Sequence, residues 1–152
     1  MIGLGNPLSR DDAFGLQVLD RLAQQEPCSL PETVLARADT DLIAQIDAFP
    51  TYSQVILVDA LLDPNAALGR RGDVIVVDEE IFQTWPETST SVHQFSPLLA
   101  VKLFRKLYPE APTRITLVAY CTDGVSMGTS EYGPLEESVI DAAVRLILSL
   151  LS

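Results

Sequence analysis

The chain is short of several things that would make its reading easy. Over 152 residues it has one histidine, two cysteines, and 10 basic residues against 21 acidic ones. The two cysteines, Cys28 and Cys121, lie far apart and in no C-x-x-C spacing, so neither a disulfide framework nor a zinc knuckle is expected. A single histidine excludes the H-E-x-x-H chemistry of zinc peptidases, which needs two imidazoles on one helix face. No run approaches the roughly 18 apolar residues of a membrane helix, and the first residues lack the basic-then-apolar layout of a secretory signal. A soluble, cytoplasmic protein without a membrane partner is therefore expected. The net charge of −11 repels a phosphate backbone, so no nucleic-acid partner is expected either.

What is present is enough for one good core. With 47% hydrophobic residues the whole chain, 1–152, reads as a single domain. Apolar runs of strand length alternate with helix-period stretches, the pattern of a mostly parallel sheet covered on both faces. This predicts an α/β fold, a three-layer α/β/α sandwich around about five strands. The strands are expected at Met1–Leu4, Thr33–Ala36, Gln54–Asp59, Asp73–Asp78 and Arg114–Tyr120, the first being short for a buried parallel strand. Helices are expected over Asp12–Gln24, with Phe14, Val18, Leu19 and Leu22 on one stripe, and over Asp41–Phe49. A third should start at Ser96-Pro97 and carry Leu99, Leu103 and Leu107 inward. The last should run from Pro134 to Leu151 and bury Leu135, Val139, Ala142, Leu146 and Leu150. Asp63–Gly72 and Phe82–Gln94, rich in Pro, Gly, Ser and Thr, read as loops.

Three local motifs lead nowhere. Gly124-Val125-Ser126-Met127-Gly128 has the G-x-S-x-G form of a nucleophile elbow, but the only histidine, His93, precedes the serine, against the order of α/β-hydrolases. Gly3-Leu4-Gly5-Asn6-Pro7-Leu8 opens like a dinucleotide fingerprint, yet Leu8 stands at the third glycine, and Asp11 and Asp12 would repel a pyrophosphate. Arg71-Gly72-Asp73 is a turn leading into a strand.

Three residues remain. Asp59 ends the apolar run QVILVD, and ligands of open α/β sheets gather outside the carboxyl ends of the strands; the plainer reading is a residue that starts a turn. Asp12 follows the first strand, and its plainer reading is the acidic partner of Ser9 in a capping box. His93 lies in a polar loop before the third helix, where a histidine is commonly solvated and idle. Two carboxylates and one imidazole nonetheless form a donor set suited to a divalent transition ion, with positions left for outside ligands.

The run Gly3-Leu4-Gly5-Asn6-Pro7-Leu8-Ser9-Arg10-Asp11-Asp12-Ala13-Phe14-Gly15 resembles the G-x-G-N-x-L-x-x-D-[DE]-[GA]-x-G opening of the hydrogenase maturation endopeptidases. Val58-Asp59-Ala60 and Ser91-Val92-His93-Gln94 resemble that family's second and third signatures, in the same order. The resemblance implies a peptidase that removes a short C-terminal extension from the large-subunit precursor of a [NiFe]-hydrogenase after nickel insertion. It implies that Asp12, Asp59 and His93 engage nickel supplied by the substrate, with no permanent cofactor, and that Asn6, Asp39 and Thr40 contact substrate. The chain departs from the pattern after the second strand, where many members carry Asp-Gly-Gly-Thr and this one has Arg37-Ala38-Asp39-Thr40. Peptidyl-tRNA hydrolases share the G-L-G-N-P start but need a histidine near Asp11 that is missing here. A metal-binding accessory protein that holds the precursor without cutting it would use the same ligands.

Overall fold

The computed structural model describes residues 1–25, 30, 32–39, 41–63, 65–84, 97–122 and 135–152. Five strands form one sheet in the order β2-β1-β3-β5-β4: β1 Ile2–Leu4, β2 Ala36–Asp39, β3 Gln54–Leu62, β4 Val74–Asp78 and β5 Arg114–Thr122. All pairs are parallel except β4 with β5, so the one antiparallel strand closes an edge. β3 and β5 align residue for residue from Gln54 with Arg114 to Leu62 with Thr122. They are buried along nearly their whole length, as strands covered on both faces must be.

Among the described residues four α-helices and a 3-10 helix cover the sheet: α1 Phe14–Leu22, the 3-10 helix Ile43–Thr51, α2 Glu79–Thr84, α3 Pro97–Leu107 and α4 Glu137–Leu151. The period-2 alternation of β3 divides its side chains between two cores. Val55, Leu57 and Leu61 pack with Leu42, Ile46, Phe49, Leu98, Val101 and Phe104 from the 3-10 helix, its N-cap and α3. Ile56 and Val58 face the opposite way, onto Phe14, Val18 and Leu22 of α1 and Ile140, Val144 and Ile147 of α4. This is the expected three-layer sandwich. No helix among the described residues is long and apolar enough to cross a membrane.

Several boundaries differ from expectation. β2 begins where its expected span ended: pairing with β1 starts at Ala36 opposite Ile2, which leaves Val34 exposed outside the ladder. β3 and β5 run on to Leu62 and Thr122 because each satisfies the other's backbone to the end. The expected Asp41–Phe49 helix is a 3-10 helix shifted to Ile43–Thr51; Pro50 lies inside it, and Ile46 and Phe49 use the three-residue spacing of that helix. Residues 82–84, expected in a loop, end the short helix α2. This helix is docked by the Glu79 carboxylate, which accepts from Nε and Nη2 of Arg105 at 2.6 Å each.

Both amphipathic helices α3 and α4 are turned by one residue from the predicted stripe. In α3 the buried set is Leu98, Ala100, Val101 and Phe104, while Leu99 and Leu107 are 45% and 54% exposed. In α4 it is Ile140, Ala143, Val144 and Ile147, flanked by half-buried Val139, Ala142, Leu146 and Leu150. Each helix offers two overlapping apolar stripes, and the one bearing the aromatic or β-branched side chains is buried. Each such side chain contributes about 1.5–3 kcal/mol on full burial.

Candidate functional site

From β1 the chain crosses to β2 on one side and then back to β3 on the other. The carboxyl ends of β1 and β3 therefore flank a topological switch point, where open α/β sheets leave a crevice for ligands. Among the described residues the buried acids are Asp11, Asp12, Asp59 and Asp63, each 5% exposed or less. All four lie at or near this carboxyl edge.

Asp12 belongs to the run of turns before α1, not to the helix's first turn; the cap residue is Ala13, with no side-chain capping bond. The Ser9 N–H, which a capping box would give to Asp12, donates to the Asn6 carbonyl at 3.1 Å. Oδ2 of Asp12 instead accepts the Asn6 backbone N–H at 3.1 Å. The acid thus closes the loop behind β1. Asn6 completes that loop by accepting the Leu8 N–H on Oδ1 at 2.9 Å.

Two glycines make this arrangement possible. Gly5 has φ +133°, and a Cβ there would fall 1.7 Å from the Asp12 carbonyl oxygen. At Gly15 a Cβ would fall 2.1 Å from the carbonyl oxygen of Val58 and 2.4 Å from that of Leu4. The start of α1 therefore rests directly on β1 and on the residue preceding Asp59.

Asp59 lies inside β3, three residues before its end, so it neither ends the strand nor starts a turn. Its Oδ1 accepts the N–H of Ala60 at 2.8 Å. By alternation with Val55, Leu57 and Leu61 it falls on the face covered by α3. His93 and Thr40 lie outside the described residues, as does the G-x-S-x-G sequence around Ser126; α3 begins at Pro97, four positions after His93. Asp39 ends β2 at φ +44°, exposed, with its carbonyl accepting the Gly5 N–H at 2.7 Å. That left-handed backbone is one glycine adopts freely and aspartate tolerates.

Three contributors were missed in the sequence. Asp11 accepts from the Thr122 hydroxyl at 2.9 Å, tying the turn before α1 to the end of β5. Asp63 accepts three backbone N–H groups, from Ala67, Leu68 and Gly69, at 2.9, 2.8 and 3.1 Å. Burial alone would raise the Asp63 carboxyl, but these three donors outweigh it and hold the group below its ordinary value. Thr122 links the two, since its carbonyl accepts the Asp63 N–H at 2.8 Å. The signals available were that Asp11 stands in the opening motif and that Asp63 follows an apolar strand. Nearby, burial and then the Asp11 charge push the Tyr120 phenol above its ordinary value, with Arg71 and Arg10 pulling it down.

Among the described residues no three His, Cys, Asp or Glu side chains come together as a metal site. A cleft of about 470 Å³ lined by Asp78, Glu79, Glu80, Gln83 and Arg114 opens at the amino end of β5, the far edge of the sheet. It holds none of the buried acids, and its size does not make it the better candidate.

The fold is a mostly parallel, open α/β sheet with buried acid at its switch point, the place where ligands of such sheets gather. Compared by sequence with protein families and curated proteins, the chain matches none. Compared with solved structures, it shares the fold of the hydrogenase maturation proteases. The hydrogenase maturating endopeptidase HybD of E. coli is 23% identical, with a TM-score of 0.75 over 99% of this chain and 89% of that one. The [NiFe] hydrogenase maturation protease HybD of Thermococcus kodakarensis is 20% identical, with a TM-score of 0.72 over 99% and 97%. The hydrogenase 2 maturation peptidase of Thaumarchaeota archaeon SCGC_AB-539-E09 is 25% identical, with a TM-score of 0.59 over 99% and 95%.

Proposed function

We propose that the chain is a hydrogenase maturation endopeptidase, cutting the C-terminal extension from a [NiFe]-hydrogenase large-subunit precursor that already carries nickel. The observation that carries this reading is the gathering of the buried acids at the carboxyl edge, with Asp12 and Asp59 at the positions the sequence motifs select. The structural likeness to proteins of that activity supports it.

In this reading nickel arrives as part of the substrate. Asp12, Asp59 and His93 add to an ion already held by thiolates, and a hard-and-borderline oxygen and nitrogen set is a suitable complement to soft sulfur. A precursor without nickel offers these acids nothing to bind, so cleavage waits for metallation. The ion polarises the scissile carbonyl or a bound water, the ordinary contribution of a divalent metal to hydrolysis. Asn6, Asp39 and Thr40 contact the precursor, no resident cofactor is required, and the protein works in the cytoplasm.

The test is to incubate the purified protein with nickel-loaded and nickel-free precursor and follow the precursor's mass. Loss of a C-terminal peptide from the loaded form alone is expected. Binding without cleavage would replace the peptidase reading with that of an accessory protein. Asp12→Asn, Asp59→Asn and His93→Ala are each expected to abolish cleavage while the circular dichroism spectrum stays that of the folded protein.

A further inference from the structure

Thr122 stands at a crossing of the site's framework. It is the last residue of β5 and is 1% exposed. Its hydroxyl donates to Oδ2 of Asp11 at 2.9 Å, a contact spanning 111 positions of sequence. Its carbonyl accepts the N–H of Asp63, whose side chain organises the loop after β3. One residue thus ties the turn before α1 and the loop after β3 to the same strand end. The two adjacent aspartates of the turn divide the work. Asp12 is joined to the β1 side through Asn6, and Asp11 to the β5 side through Thr122. The turn's own hydrogen bonds, such as Ala13 N–H to the Ser9 carbonyl at 2.8 Å, shape it locally, and side-chain bonds toward both flanking strands fix its orientation against the sheet.

We propose that Thr122, acting through Asp11, is a positioning residue that sets the orientation of the Asp12 carboxylate relative to Asp59. The inference rests on the peptidase reading for its effect on rate, and on geometry alone for its effect on the turn. The hydroxyl is the active element, because a hydrogen bond to a buried carboxylate is directional and a methyl group cannot supply it.

Thr122→Val keeps the shape of the side chain and removes the hydroxyl; Thr122→Ser keeps the hydroxyl. With nickel-loaded precursor, Thr122→Val is expected to lower the single-turnover cleavage rate roughly 10- to 100-fold, the scale of a small misplacement of a reacting group. Precursor affinity should stay within about twofold because the substrate's contacts are untouched. Thr122→Ser should restore the rate. Hydrogen exchange supplies a readout independent of cleavage: the amides of Asp12 and Ala13 should exchange faster in Thr122→Val and at the wild-type rate in Thr122→Ser. A valine variant with wild-type exchange, or equal losses in both variants, would overturn the proposal. So would a rate loss matched by an equal loss of affinity. Failure of the wild-type protein to cleave would overturn the peptidase reading and, with it, the effect on rate, while the exchange result would still decide the clamp.

Discussion

Gly15→Ala separates the packing of the site from its chemistry. The added methyl would sit 2.1 Å from the Val58 carbonyl oxygen, 0.9 Å inside the 3.0 Å limit that real Cβ contacts respect. The opposing atoms are backbone of β3 and β1, buried in the sheet, so they have little room to yield. The start of α1 must therefore withdraw, carrying Asp11 and Asp12 with it. Overpacking of this kind costs about 1–3 kcal/mol. For a chain of this size each kcal/mol lowers Tm by about 2–4 °C, giving a fall of roughly 2–12 °C. A displacement of about 1 Å in a positioned group costs on the order of 100-fold in rate, so cleavage of loaded precursor should fall by that factor. Gly72→Ala is the control. Gly72 has φ +94° with nothing within 4 Å of its virtual Cβ, so alanine there meets only backbone strain, about 1–2 kcal/mol. It should lower Tm and leave cleavage unchanged. Calorimetry and a timed cleavage assay on the two variants decide the matter: a Gly15→Ala protein that melts and cuts like wild type would refute the account of the site's packing.

Two further perturbations concern pH. Asp63→Asn should destabilise the protein by about 1–3 kcal/mol at neutral pH, because an amide cannot satisfy three N–H donors as a carboxylate does. Since the folded carboxyl lies below its ordinary 3.8, its contribution is present above that value and lost as pH falls through the folded pKa. Urea titrations between pH 2 and 6 should show this loss in wild type and a shallower one in Asp63→Asn, using a range set by the carboxylate reference values. Burial first, then Asp63 and Asp73, raise the Cys121 thiol from 9.0 to about 11. Its contribution, roughly 2–3 kcal/mol, is complete below pH 9 and lost as pH rises toward 11. Cys121→Ser should flatten that part of the pH profile, and an unchanged slope would mean another group titrates there.

The sequence was readable wherever one physical constraint dominated. Runs such as QVILVD and RITLVAY are apolar on both faces because both faces are covered, and this identified the central strands and the layer order. Their ends were not legible, since mutual backbone pairing, not side-chain character, carries β3 past Asp59 to Leu62. The turned stripes of α3 and α4 have a similar cause: periodicity allows two faces on each helix, and only packing against the sheet selects one. At the site, motif residues led to Asp12 and Asp59, and their burial agrees with a special role. Asp12 as a helix cap was a sound local inference overturned by Asn6, whose N–H claims the carboxylate. Asp63 and Thr122 had no comparable signal, and the motif that contains Asp11 did not show what Asp11 bonds. Their value lies in contacts such as that between Asp11 and Thr122, across 111 positions, which local pattern does not carry.

The burial of Asp11, Asp12, Asp59 and Asp63 at one edge sets stability against the proposed function. Each carboxylate withdrawn from water carries a desolvation cost and needs donors from the surrounding backbone and hydroxyls merely to be tolerated. In the proposed reading a cation brought to that edge by the substrate would offset this cost, so partner binding and folding would be thermodynamically linked. Selection for thermostability alone would act to neutralise Asp12 or Asp59 while keeping Asp63 with its three N–H donors, and a variant obtained that way should melt higher and work worse.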